Sequence, residues 1–168
     1  PHNRCRRQRQ MCIRDSAIQA SGARVVRAKE KDFKTQIRSI LDLVNNSTKM
    51  IFIANPNNPT GTMISYEEII ELHSNLPSNI LLVIDEAYIE YVNDKNYLST
   101  FDLVKNSNNI VVTRTFSKAY GLAGLRVGWA YCPDNVINIL ERLRIPFSVN
   151  STAQKVAVAA IEDQDHII

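Results

Sequence analysis

The chain has 168 residues, 45% hydrophobic and 22% charged, enough for one domain with its own core. No apolar run approaches the ~18 residues a membrane span needs. Three cysteines without CxxC spacing exclude a disulfide framework and a cysteine-based zinc site.

The net charge of +3 is local: residues 1–16 hold five arginines and one aspartate, +4, so the remainder carries 3 − 4 = −1. That opening, PHNRCRRQRQMCIRDS, has no amphipathic period, and its composition changes abruptly at Ser16. It reads as a non-native or disordered leader rather than a transit peptide or a nucleic-acid arm, so no nucleic-acid partner is expected. His2, His73 and His166 lie far apart without ligand spacing, and no metal is expected. The sparse cysteines fit a reducing, cytoplasmic setting.

Along the chain, short apolar runs alternate with amphipathic stretches. Ala23 to Ala28 reads as a strand. Phe33 to Val44 places Phe33, Ile37, Ile40, Leu41 and Val44 at helical spacing. Lys49 to Ala54 is a strand stopped by NPNNPTG, whose prolines cannot extend a ladder. Ser65 and Glu68 form a capping box for a helix over 65–74. Ile80 to Asp85 (ILLVID) is continuous enough in apolar character for a fully buried strand. Asn109 to Thr113 and Val127 to Cys132 are further strands. Asp134 to Arg144 is a helix with Asp134 as its cap, and Ser151 to Ile161 is another. Strand and helix in alternation imply an α/β fold with a mostly parallel sheet.

In such sheets ligands bind beyond the carboxyl ends of the strands. Three consecutive strands here end in unusual polar groups: Asn55, Asn57 and Asn58; then Asp85, Glu86 and Tyr88; then Thr115, Ser117 and Lys118, with Arg126 eight residues on. Each has a bland reading on its own. NPNNPTG can be a simple turn, Asp85 a helix cap or metal carboxylate, Tyr88 a core residue, Lys118 a snorkelling lysine, and Arg126 a structural ion pair. GLAGLRVG fits neither GxGxxG nor a P-loop. Taken together the set suits one ligand. A desolvated lysine is a nucleophilic amine able to form a Schiff base. Thr115, Ser117 and Arg126 suit a phosphate dianion. A buried aspartate suits a protonated ring nitrogen. An aldehyde, a phosphate and a pyridinium in one molecule describe pyridoxal 5'-phosphate (PLP).

The segments NPNNPTG, DEAYIEY and TRTFSKAYGLAGLRVGW resemble those of fold-type I PLP-dependent enzymes, the aspartate aminotransferase superfamily, and within it look most like the histidinol-phosphate aminotransferases. The resemblance runs from about Ser16 to the C-terminus and implies a three-layer α/β/α sandwich. It implies that Lys118 carries the cofactor and shuttles the proton, that Asp85 pairs with the pyridine nitrogen, and that Tyr88 and Asn58 hold the ring 3'-oxygen. Thr115, Ser117 and Arg126 would bind the phosphate. The implied reaction converts L-histidinol phosphate and 2-oxoglutarate to imidazole-acetol phosphate and glutamate. The alternatives within the fold are an aromatic aminotransferase and a threonine-phosphate decarboxylase. The partners would be a small amino donor, a keto acid and a second copy of the chain. Family members are roughly twice this length. The expected domains are therefore a leader (1–16), a partial PLP-binding large domain (17–150), and the start of a helix leading to a small domain (151–168). By the resemblance, an N-terminal arm and a glycine-rich phosphate loop are expected before residue 17 and a small domain with a substrate-gripping arginine after Ile168; these, and the aromatic that stacks on the cofactor ring, are the family features not found in the 168 residues.

Overall fold

The computed structural model describes residues 9–93, 97 and 100–167, with backbone only for residues 9–13. Four strands form one sheet in the order β1 (Met50–Ala54), β2 (Leu81–Asp85), β3 (Ile110–Thr115) and β4 (Gly128–Tyr131). The first three run parallel, with Ala54 beside Asp85 and Asp85 beside Thr113. Parallel neighbours need crossovers, and helices α3 (Tyr66–Ser74) and α4 (Phe101–Lys105) supply them. Beyond Thr115 the chain doubles back, so β4 is antiparallel to β3. This is the α/β, mostly parallel architecture expected from the alternation of runs.

One face of the sheet carries the core. Ile53, Leu82, Ile84, Ile110 and Val112 pack with Ile37 and Ile40 of α2 (Ile37–Leu41), Ile69 and Leu72 of α3, and Val104 of α4. β2 is not buried on both faces as its apolar run suggested. Leu82 and Ile84 are buried, whereas Leu81, Val83 and Asp85 are only partly covered. A smaller core forms where α6 (Ser151–Glu162) sets Ala153 and Ala157 against Phe116 and Val127.

The capping box at α3 is complete: the Glu68 amide donates to Ser65 Oγ, and Glu68 accepts from the Ser65 amide. At α5 (Asp134–Leu143) the N-cap is Pro133, and Asp134, expected as the cap, is the first helical residue. α6 is capped instead by Asn150, which accepts from the Ala153 amide at 2.8 Å.

Three expectations fail. No strand forms over Ala23–Ala28; Val26 is exposed, and no described strand lies alongside to pair with its backbone. The helix expected over 33–44 contracts to α2, because Asp32 and Phe33 take positive φ in a tight turn closed by Lys31 and Lys34. Phe33 points to solvent. Finally, α1 (Arg9–Ala20) runs straight through Ser16, so the composition shift there marks no element boundary; residues 1–8 of the leader lie outside the described residues. Helix α4 and the 3-10 turns at Ile89–Tyr91, Ala123–Leu125 and Gln164–Ile167 had no periodic signal to announce them.

Candidate active site

The carboxyl ends of β1, β2 and β3 lie side by side, which gathers the polar groups that follow them. After β1, Asn55 is buried and makes three bonds: its amide Nδ2 donates to Ile64 O and Tyr97 Oη, and its Oδ1 accepts from the Ile64 amide. That clip folds the NPNNPTG segment back on itself and presents Asn58. Desolvation, the larger cause, and the nearby Glu86 carboxylate push the Tyr97 phenol up to about 12. It therefore stays protonated as an acceptor for Asn55.

Asn58 Nδ2 donates to Tyr88 Oη at 2.8 Å. Because the phenol oxygen accepts here, its own hydrogen remains free to donate elsewhere. Lys118 places its ammonium 5.2 Å from the centre of the same Tyr88 ring, within cation–π range. Asn58, Tyr88 and Lys118 thus form one contiguous group drawn from three strand ends. Lys118 opens a turn closed by the Gly121 amide on Lys118 O, where φ of +67° favours glycine.

The second group is built on the backbone just before that lysine. The Ser117 amide donates to Thr115 Oγ1 at 3.0 Å, so the threonine oxygen accepts here and its hydroxyl can still donate. Arg126, itself in the left-handed region at φ 54°, spends one N–H on Ala123 O at 2.8 Å and reaches Ser117 Oγ at 3.5 Å. Two hydroxyls and a guanidinium within one loop suit a phosphate in donor chemistry.

Asp85 ends β2 on the same face as Thr113 and Thr115, by the alternation of side chains along paired strands. It is not the buried carboxylate expected: its side chain is 38% exposed. Oδ1 accepts from the Ala87 amide at 3.2 Å, and Arg14 of α1 stands 3.9 Å from Oδ2. With both partners more than a third exposed, that ion pair is weak. Beside Asn58 and Tyr88 opens a cavity of about 540 Å³ walled by Pro56, Asn57, Met63 and Tyr91. Lys118, Asp85 and Arg126 take no part in its wall.

Arg114 escaped the sequence reading, and Glu86, noted there only as one of the polar groups ending β2, proves to be its partner. Glu86 is wholly buried and bound by Arg114, at 3.0 Å from Nε and 2.8 Å from Nη2. The available signal was a carboxylate and a guanidinium each one position out of phase with a site residue.

A model of the aminotransferase class I and II family matches residues 15–168. The chain belongs to that family. Among its relatives, the histidinol-phosphate aminotransferase of Pelagibacter ubique is 52% identical over 149 residues, covering 89% of this chain and 41% of the relative. That of Granulibacter bethesdensis is 48% identical over 85% of this chain and 39% of its own length. The chain therefore spans about two fifths of the curated relatives it matches. The crystal structure of histidinol-phosphate aminotransferase from Sinorhizobium meliloti, in complex with pyridoxal-5'-phosphate, superposes with a TM-score of 0.85 at 30% identity, over 91% of this chain and 42% of that one. L-threonine-O-3-phosphate decarboxylase from Porphyromonas gingivalis shares the fold at 20% identity and a TM-score of 0.73, over 91% of this chain and 44% of that one. The class I and II aminotransferase fold is thus the setting for the Asn58–Tyr88–Lys118 group and the Thr115–Ser117–Arg126 loop. No described helix is long and apolar enough to cross a membrane.

Proposed function

We propose that this chain is the greater part of the PLP-binding domain of a histidinol-phosphate aminotransferase, with residues 17–150 holding the cofactor and 151–168 leading toward a smaller domain. On this reading the whole protein is a cytoplasmic homodimer. It moves the amino group of L-histidinol phosphate to 2-oxoglutarate, leaving imidazole-acetol phosphate and glutamate. The observation that carries the cofactor assignment is the convergence at three strand ends of an amine, a phenol with a free hydrogen and a hydroxyl–guanidinium loop. Relatives about half identical bear the name of this enzyme.

PLP, when bound, supplies the electron sink that lets an amino acid give up its Cα proton. The chain's residues do the rest. The ε-amine of Lys118 is the covalent attachment point and, when freed, takes and returns a proton at Nζ. Tyr88 Oη, its lone pair engaged by Asn58, would donate its hydrogen to the ring oxygen. The Asp85 carboxylate accepts from the protonated ring nitrogen and keeps it protonated. Thr115, Ser117 and Arg126 would anchor the phosphate, the Ser117 amide tying Thr115 Oγ1 into the same loop.

Borohydride reduction of the chain mixed with PLP tests the cofactor. The label should map to Lys118 and vanish in both Lys118→Ala and Lys118→Arg, since a guanidinium is not a free amine. Label on another lysine, such as Lys155, would defeat the assignment. The substrate is tested by the change in visible absorption on adding L-histidinol phosphate against phenylalanine; a stronger response to phenylalanine favours the aromatic aminotransferases.

A further inference from the structure

Directly beneath the candidate site, on the opposite face of the sheet, lies an ion pair that no step above uses. Glu86 follows Asp85 and Arg114 precedes Thr115, so each is one residue out of phase with a site residue and faces the other way. The carboxylate is closed on both oxygens. Oε2 takes Arg114 Nε and Nη2, and Oε1 accepts from Thr100 Oγ1 at 2.5 Å. The guanidinium is fixed from its faces as well. Its carbon lies 4.4 Å from the Phe101 ring centre and 5.6 Å from that of Trp129, the residue paired with Arg114 across β3 and β4. Glu90 approaches its Nη1 at 3.9 Å.

Burying both charges is a poor route to stability, because desolvation consumes most of their attraction, and an apolar pair of the same size does as well. What such a pair supplies is direction: two N–H groups of one rigid guanidinium converging on Oε2, with its plane stacked on Phe101, leave little freedom to slide or rotate. The fork bridges the carboxyl ends of β2 and β3 and rests on β4, where the distance between Asp85 and the Thr115–Lys118 turn is set.

We propose that Glu86 and Arg114 are positioning residues, a clamp that holds Asp85 and Lys118 in mutual register for the cofactor. The proposal rests on the functional reading above, and its test has one arm that does not.

The first arm is amide exchange in the 168-residue chain. The Glu86 amide bonds to Thr113 O and the Asn55 amide to Asp85 O at the clamped end; the Leu82 amide bonds to Asn109 O at the other end. Two variants are compared: Arg114→Lys, which keeps the charge and loses the fork, and the double Glu86→Leu/Arg114→Met, which removes both charges. In each, the Glu86 and Asn55 amides should exchange about tenfold faster while Leu82 is unchanged, as for a local opening. The second arm is PLP affinity, which should fall about tenfold in both variants through misplacement of the binding groups. Uniform acceleration that includes Leu82, no change at all in a folded variant, or loss of cooperative melting in both variants would each overturn the clamp and make the pair an ordinary structural one. If the unmodified chain takes up no PLP, the functional reading fails and the exchange arm alone decides the clamp.

Discussion

Helices α3 and α5 are nearly the same length and both are amphipathic, yet they end in opposite circumstances. α3 opens on a two-sided capping box and buries Ile69 and Leu72 completely. α5 opens on Pro133 with no side-chain cap and buries nothing. Leu143 is 74% exposed, and past its end Ile145 and Phe147 stand in solvent, Phe147 at 98%. A 3.6-residue period fixes which side of a helix is apolar. It does not say what covers that side, because the covering element comes from elsewhere in the fold.

The largest expected effect tests this contrast directly. Leu72→Ala should cost about 2–5 kcal/mol, the transfer term plus a cavity. Leu143→Ala should stay within about 0.5 kcal/mol, as for an exposed position. Urea midpoints of the two variants decide it. Comparable losses would mean that the α5 face is covered in solution, and the comparison would collapse.

The next effect moves to the strand that feeds α5. A Cβ built on Gly128 would lie 2.8 Å from Arg114 O, so the backbones of β3 and β4 approach too closely for any side chain. Gly128→Ala should cost about 1–3 kcal/mol by overpacking. The expectation fails if melting is unchanged, for then the two strands separate freely and the register of Thr115 with Gly128 does not constrain the site loop.

These contrasts also explain what was legible in the residues. β1, β2 and β3 were readable because apolar runs stop abruptly at asparagine, aspartate or threonine. α3 was readable because Ser65 and Glu68 signal a helix start with no help from the tertiary fold. The seven candidate positions stood out as a set, since chemically unusual groups after consecutive strands gather on one edge of a parallel sheet; the structure brings Asn58, Tyr88 and Lys118 into one group and Thr115, Ser117 and Arg126 into another, with Asp85 in contact with Arg14 instead. Val25 and Val26 misled because strand propensity needs a neighbour to become a strand. The half-open face of β2 was invisible because an apolar run reports hydrophobicity, not cover. Arg114 was missed because a charge inside a β-branched strand looks like a solvated one until its fork and its aromatic neighbours are seen.

A smaller effect separates the two helix starts. Ser65→Ala removes the bond from the Glu68 amide and should cost about 1 kcal/mol. Pro133→Ala removes no cap bond, because α5 has none to lose, and its thermal midpoint should move far less. Equal shifts would show that α5 is held at its start by something other than a side-chain cap.

The smallest effect is a slope with pH, and it lies at Glu90, beside the clamp. Glu90 Oε2 is buried without a hydrogen-bond partner among the described residues, Arg114 stands at 3.9 Å from the other oxygen, and Glu86 faces it as a like charge. Desolvation is the largest influence and raises its pKa above the usual 4.5, with Arg114 pulling the other way. The folded state therefore holds the proton more tightly than the unfolded chain does. The stability this contributes is complete below pH 4.5 and is lost as pH rises through the raised folded value. Glu90→Gln carries no such titration. Its stability relative to the parent chain should climb as pH increases across that window and then level off, read from urea midpoints at successive pH values. A difference that stays constant with pH would show that Arg114 compensates the buried charge in full. The guanidinium would then serve Glu86 and Glu90 equally, and the clamp would be shared between two carboxylates rather than aimed at one.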